Sequence, residues 1–350
     1  MINYKVFEVG DALFSVFLNR DEFVGNEFKS IFDFGYSNLD LFRKVNPNEY
    51  INSKTLLISH FHNDHFKALY KIDDNSLSID TLIIPKLPFD SLMSRGIKSF
   101  VAIQLFYLAE MTGFYETDVL NLIKKKNRNN FIVNRKRQNE SFTASNIEFD
   151  VIWPDPKFIS SIPSVTIALN NIATILEENE GFNTFYREVL KSRFLNEEVN
   201  TISDVELNEL LPFEIELTAS QRVLLKNANS RLINVANDNC LAFQNIEHGF
   251  LSLGDLSNRA LWKLFDTEFT TPVEYEIILS AHHGTHHTNH INWDNIKSCV
   301  VVHSNGLRMR YHYRNEYSSF TNQNHQTNYS GPFQSRQYVL DCRINRVLVR

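Results

Sequence analysis

The sequence predicts an α/β protein, and three observations carry that reading. Apolar strands recur along the chain, and four of them run straight into loops carrying histidine or aspartate. Helical periodicity of three and four residues fills the stretches between strands. Both ends of the chain alternate apolar with polar residues, the two-residue rhythm of sheet.

From Tyr4 to Val16 and from Phe28 to Phe34, β-branched and aromatic residues alternate with polar ones, as half-buried strands of a hairpin do. Thr55 to Ser59 is a third strand, apolar at its centre, that enters a cluster of histidine and aspartate before Phe66 to Ile72 resumes with helical character. A buried strand follows at Ser78 to Pro85, then one or two helices over Ser99 to Lys126. After Phe131 to Phe142 comes a strand at Ile147 to Trp153, stopped by Pro154 and Pro156. From Pro163 to about Leu225 the pattern changes to long helical periodicity with acidic runs such as Glu177 to Glu180. Residues 160–225 are therefore read as a helical insertion within one domain spanning 1–350. The sheet pattern returns at Ser230 to Phe243 and Gly249 to Leu253. Two more strands, Glu276 to Ser280 and Ser298 to His303, each end in a histidine-bearing loop, and alternating strands over Tyr338 to Val349 close the chain.

The 350 residues are 43% hydrophobic and 13% aromatic, enough apolar material for one large core or two smaller ones. A formal charge of −6 and a pI near 6.1 lack the overall basic footprint of a dedicated nucleic-acid binder, where a domain pI above roughly 9 is usual, so any such contact has to be local. Cys240, Cys299 and Cys342 are too few and too scattered for a disulfide framework or a structural zinc site. The N-terminus begins as strand, with no charged region and apolar core of a secretion signal, and no run of roughly 18 apolar residues occurs. A cytoplasmic protein with no membrane span is expected.

The segment Ser59-His60-Phe61-His62-Asn63-Asp64-His65 places three imidazoles and a carboxylate directly after a buried strand, the donors that Zn²⁺ or a similar ion prefers. In extended chain His60 and His62 share one face and can share one ion, leaving Asp64 and His65 for a second. Phe250 to Asp255 delivers a carboxylate after Gly254, able to bridge two ions, and Ile277 to Thr285 delivers the pair His282 and His283. Either of these alone is weak, and together they complete a donor set.

In this order the motifs resemble the metallo-β-lactamase superfamily, and within it the hydrolase domain of DNA-uptake competence proteins and their soluble relatives. Further matches are Val9-Gly10-Asp11-Ala12, Asp33-Phe34-Gly35 at a strand end, Trp153-Pro154, Asn237-Asp238-Asn239-Cys240 at a strand start, and His282-His283-Gly284-Thr285. The likeness runs from residue 4 to about 313, interrupted near 160–225. It implies a four-layer αββα sandwich with metals at one edge, held by His60, His62, Asp64, His65, Asp255 and His282, with His283 as the second candidate.

The chain departs from the pattern in two places. Many members carry a separate histidine between the first block and the bridging aspartate. Here His248 is read as a turn residue, and Asn237 or Asn239 can line the site instead. The motif after the last strand is only partly kept as Ser304-Asn305-Gly306 and Tyr311, which leaves His303 and His312 as candidates for substrate contact or proton donation. His286, His287 and His290 are read as a polar loop over the site entrance.

The function implied is a binuclear metallo-hydrolase with two divalent ions, Zn²⁺ first and Mn²⁺ as the alternative. A bridging water, its pKa lowered from about 15.7 to about 7, would be the nucleophile. Asp64 would orient it and accept its proton, and Asp33 is a plausible partner for a ligand histidine. The resemblance points to phosphodiesters in a nucleic acid or nucleotide, a phosphodiesterase or nuclease. Arg308, Arg310 and Arg314 are phosphate candidates, Asn239 a substrate contact, and the basic stretches at 124–128 and 134–137 a weaker hint of a groove. The alternatives are hydrolysis of a thioester, lactone or lactam, and a partner-dependent effector or interaction module that docks a protein through residues 160–225. Without the membrane domain of competence proteins, the sequence argues against DNA import.

Overall fold

The computed structural model describes residues 2–20, 27–88, 91–112, 119–158, 162–194, 215–287, 293–306, 308–312, 314–319, 321–327, 336–341 and 346–349. Strands β1 (Ile2–Val6), β2 (Phe14–Arg20) and β3 (Glu27–Phe34) form an antiparallel ribbon. Helix α1 (Leu39–Lys44) follows, its first turn capped by the Asn38 side chain, which accepts from the Asp40 and Leu41 N–H groups. Strands β4 (Thr55–Leu57) and β5 (Thr81–Pro85), helices α2 (Leu92–Thr112) and α3 (Val119–Lys126), and strand β6 (Ile132–Lys136) come next, with β3 to β6 parallel.

Strands β7 (Glu140–Ala144) and β8 (Ile147–Trp153) open a second sheet. Between β8 and β9 the chain passes through helices α4 (Ile162–Glu178), α5 (Glu180–Phe194) and α6 (Ala219–Asp238). The second sheet then gains β9 (Ala242–Asn245) and β10 (Phe250–Ser252), helix α7 (Asn258–Glu268), and strands β11 (Val273–Leu279), β12 (Ile296–His303) and β13 (Thr321–Gln326). Strands β14 (Arg336–Asp341) and β15 (Arg346–Val349) return to the first sheet beside β1. The sheet orders are β15-β14-β1-β2-β3-β4-β5-β6 and β13-β12-β11-β10-β9-β8-β7.

The two sheets pack face to face with helices outside, the four-layer αββα arrangement expected. Neighbouring residues on a strand point to opposite faces, so the first sheet sends Val16, Ile31, Leu56 and Leu82 outward to Phe42, Leu69, Leu122 and Ile123, and Phe17, Phe32, Leu57 and Ile83 inward. The second sheet meets them with Phe149, Phe243, Phe250 and Ile277, and turns Leu251, Ile278 and Val301 toward Leu261, Leu264 and Phe265 of α7. Phenylalanines fill the space between the sheets edge to face, with Phe17 5.3 Å from Phe149 at 88° and Phe32 5.3 Å from Phe243 at 90°. Helices α2, α4, α5 and α6 share a separate apolar core that includes Phe182, Phe185 and Leu232. Helix α6 starts at a capping box in which the Thr218 side chain accepts from the Gln221 N–H and the Gln221 side chain accepts in return from the Thr218 N–H.

Two sequence expectations need correction. β1 keeps the expected alternation, but β2 and the end of β3 are not half-buried: each shows five consecutive buried residues, because their sheet is covered on both faces there. Ser230 to Asp238 is not strand but the last turns of α6, where Leu232, Val235 and Ala236 recur at helical steps into the core of the four helices. The strand is confined to Ala242–Asn245. Among the described residues no helix is long and apolar enough to cross a membrane.

Phe17 is fully buried and contacts the rings of Tyr4, Phe32, Phe149 and Phe250. Phe17→Ala is expected to lower unfolding free energy by about 3–5 kcal/mol, read from the midpoint of chemical denaturation.

Candidate metal centre

The end of β4 feeds an extended segment in which consecutive side chains diverge. His60 and His62 turn toward the strand ends, while Phe61 between them enters the core of the four helices. A short 3₁₀ turn over Asn63–His65 then brings His65 back beside His60, with ring centroids 4.1 Å apart. Asp33, at the end of β3, clamps both ends of this segment. Its Oδ1 accepts from the Ser59 N–H at 2.7 Å, and its Oδ2 lies 3.0 Å from His65 Nδ1. Two residues on, the chain presses so closely on the loop that a Cβ on Gly35 would sit 1.6 Å from the Asp64 carbonyl oxygen. The Asp-x-Gly motif thus supplies a clamp and a close approach.

The second sheet brings its donors from the ends of β10 and β11. Gly254, at φ +52, packs where a Cβ would meet Cys240 Sγ at 2.5 Å, and Asp255 follows with its N–H donating to that sulfur at 3.1 Å. Beyond β11, His282 and His283 both take left-handed backbone angles, φ 45 and 58, at a cost of about 1–2 kcal/mol each for a residue other than glycine. That bend brings both rings to Asp255.

The Asp255 Oδ2 atom is the hub. His65 Nε2 and His283 Nε2 each lie 3.3 Å from it, His282 Nε2 3.8 Å and His60 Nε2 4.0 Å. Asp64 Oδ2 adds 3.4 Å to His283 Nε2 and 4.0 Å to His65 Nε2. Two donor groups result, Asp64, His65, Asp255 and His283 in one, and His60, His62 and Asp255 in the other. The four-donor group takes His283, the residue the sequence reading set second to His282.

The far nitrogen of each ring is occupied, which turns Nε2 inward. His65 faces Asp33, His283 Nδ1–H donates to the Ser304 carbonyl at 2.6 Å, His60 Nδ1 sits by Ser59 Oγ and Cys240 Sγ, and His62 is held by the backbone of Ile233. The Nε2 atoms of His60, His62, His65 and His283 and Asp255 Oδ2 are all buried, with no partner in hydrogen-bond geometry among the described residues. Buried polar atoms are ordinarily satisfied, so five that converge fit a group of divalent ions well.

Charge follows the same geometry. Burial opposes ionisation of Asp255 and Asp64, but the surrounding imidazoles outweigh it and hold both carboxyls well below the usual range. Burial likewise works against His65 and His283, and the facing carboxylates override it, raising His65 well above its usual value and pushing His283 up to about 10. His60, His62 and His282 are lowered, chiefly by burial, His282 to about 3.

A cleft of about 620 Å³ opens over the donors, and Asp64 and His62 line it. Arg308 and His312 are exposed in its lining, as is Lys67, whose ammonium lies over the Tyr36 ring. Arg310 falls in the same turn, and its side chain lies outside the described ones. Asp11 organises this turn: its carboxylate accepts from the N–H groups of Gly306, Arg308 and Met309 at 2.8, 3.2 and 2.8 Å. Helices α2 and α6 build a wall with Phe100, Gln104, Ile233, Asn234 and Asn237.

Several sequence assignments move. Asn239 does not line the cleft but caps the end of α6, buried, and Asn237 takes the cleft position. His303 is fully buried beneath Gly284, its Nδ1 2.7 Å from Ser280 Oγ, and does not reach the cleft. His286 and His287 do not form a polar rim: His286 Nδ1–H donates to the Leu256 carbonyl, and His287 stacks on Trp293 at 4.7 Å. His290 and Cys342 lie outside the described residues. Within the basic stretches, Lys126 is engaged by Ile72 and Asp74, Arg128 by Asn52, and Arg137 by Glu140, and none of the three lines the cleft. Of the wall from α2 and α6 only Asn237 was expected, since Phe100, Gln104, Ile233 and Asn234 sit on ordinary helix faces that carry no motif. Asp11 lies within the Val9-Gly10-Asp11-Ala12 motif, but its tie to the Gly306–Met309 turn has no signal in the sequence, and Lys67 follows the histidine block by two residues.

No protein-family model and no curated protein matches this chain. Among solved structures it is similar to a crystal structure of a β-lactamase domain protein from Burkholderia ambifaria, at 17% identity and a TM-score of 0.22. That similarity covers 40% of this chain and 41% of that one.

Two outcomes are expected. Asp33→Ala removes the partner of His65 Nδ1 and should weaken Zn²⁺ binding about 10- to 100-fold by isothermal titration calorimetry. Raised pKa values mean that His65 and His283 carry protons at neutral pH without metal, and an ion has to displace them. Binding should therefore release protons, and affinity should climb with pH until His283 deprotonates near 10, as titration in buffers of different ionisation enthalpy reads out.

Proposed function

We propose that this chain is a metal-dependent hydrolase of phosphodiesters in a nucleic acid or nucleotide, allied to the hydrolase domain of DNA-uptake competence proteins. The observation that carries the hydrolase reading is the convergence of four buried, unpartnered Nε2 atoms and one carboxylate oxygen beneath an open cleft. His60, His62, Asp64, His65, Asp255 and His283 would hold two ions. Ions bound there supply Lewis acidity toward the scissile group and make water a nucleophile at neutral pH.

The chain's own residues divide the remaining work. Asp64 keeps 30% of its side chain exposed at the cleft floor and is held ionised, so it can orient an attacking water by accepting its hydrogen bond. Asp255, only 3% exposed, fixes the spacing of the donors around it. Arg308 and Lys67 line the cleft and would suit a phosphate, and His312, exposed in the same lining, would donate to a leaving oxygen. Arg308 also faces Asp11 at 3.9 Å, so Lys67 is the lining cation with no carboxylate beside it among the described residues, and the phosphodiester reading rests on these two cations together with the resemblance in the sequence.

The test is turnover of bis-p-nitrophenyl phosphate by protein reconstituted with Zn²⁺ or Mn²⁺, beside a chromogenic β-lactam. Phosphodiester turnover is expected, lost by roughly 10²–10⁴-fold in Asp64→Ala. Metal-loaded protein that hydrolyses the lactam and spares the diester would overturn the substrate assignment.

A further inference from the structure

The two donor groups are unequal. Asp64, His65, Asp255 and His283 make four donors, whereas His60, His62 and Asp255 make three. Asp255 contributes through Oδ2 to both, so the smaller group holds just two donors of its own. A tetrahedral ion sharing one carboxylate oxygen with a neighbour is better held by a third imidazole.

One imidazole at the hub remains unassigned. His282 Nε2 lies 3.8 Å from Asp255 Oδ2, nearer than His60 Nε2 at 4.0 Å. Its ring is also oriented from behind. His286 Nδ1 is 2.8 Å from the Leu256 carbonyl, which can only accept, so His286 donates there and its ring is anchored. The His282 ring packs edge to face on that ring at 70°, its Nδ1 2.8 Å from Nε2 and 3.2 Å from Nδ1 of His286, which leaves His282 Nε2 on the side facing Asp255. A histidine whose outer nitrogen is fixed by an anchored partner is prepared to bind metal through the other. The adjacent left-handed residues His282 and His283 explain how neighbours in sequence can both face one carboxylate. His282 also lines the cleft together with His62.

We propose that His282 and His283 both bind metal, one at each ion. His283 completes the group with Asp64 and His65, His282 completes the group with His60 and His62, and His286 is the positioning residue behind His282. This rests on the two-metal reading above and adds the assignment of the second imidazole.

The experiment counts metal by mass spectrometry after Zn²⁺ loading and dialysis, and follows Co²⁺ absorption during titration, in the full chain and in His282→Ala, His282→Gln and His286→Ala. The wild type is expected to retain two ions. Either His282 variant should retain one, with one Co²⁺ titration phase lost and the other unchanged, and His286→Ala should weaken that same phase about 10- to 100-fold. Two ions held at wild-type affinity in either His282 variant would overturn the proposal while leaving the two-metal reading intact. A wild type that binds no ion would overturn both. If the His282 variants fail to fold, an unchanged titration in His286→Ala overturns the assignment of His282.

Discussion

One buried carboxylate sets the frame of the centre. Asp33 holds the Ser59 N–H with one oxygen and faces His65 Nδ1 with the other, so the first and last residues of the donor loop are tied to the end of a neighbouring strand. It is 1% exposed and takes a left-handed backbone angle, φ 57, so its strand ends in a bend that aims the side chain sideways. Without this anchor His65 Nδ1 keeps, among the described residues, only the Ser59 hydroxyl, 3.2 Å away, and the loop its backbone tie from the Leu13 N–H to the Asp64 carbonyl, so the ring is held less firmly against Asp255. Gly35 then lets the chain pass the Asp64 carbonyl at a distance that no side chain permits.

The same economy governs the second sheet. Trp153 Nε1–H donates to the Asp238 carbonyl at 2.7 Å, and the Asp238 carboxylate accepts from Ser257 and pairs with Arg259. The end of α6 is thereby fastened to the start of α7 and to β8, and Asn237 is delivered to the cleft. Ser304 makes a similar double tie, accepting from His283 through its carbonyl while its hydroxyl donates to the Ala12 carbonyl. Few of these contacts touch the cleft, yet they decide which side chains reach it.

Much of this was legible in the residues themselves. A buried strand running into His-x-His-x-Asp-His admits few structural explanations, and the strand ends carrying Asp255 and the His282–His283 pair repeat the same design, so both the layered α/β class and the location of the donors could be read. The choice between His282 and His283 could not, because it turns on two left-handed backbone angles that sequence does not encode locally. Ser230 to Asp238 misled because Leu232, Ile233 and Val235 are β-branched or aliphatic and read as strand, and only packing against α2 and α4 selects the helix. His303 misled because a histidine at a strand end looks the same in sequence whether it faces a cleft or sits beneath Gly284.

The donors divide between the sheets. His60, His62, Asp64 and His65 follow β4 in one, and Asp255, His282 and His283 follow β10 and β11 in the other. Neither sheet alone holds the four-donor group, so a chain with one half formed has no comparable trap for an ion. An ion captured by the assembled pair acts as a rivet across the sandwich. By mass action such an ion would stabilise the docked state and leave the separated halves unaffected, so that scarcity of metal would weaken the structure itself. The phenylalanine layer brings the sheets together in water, and the histidines would make the union hard to reverse.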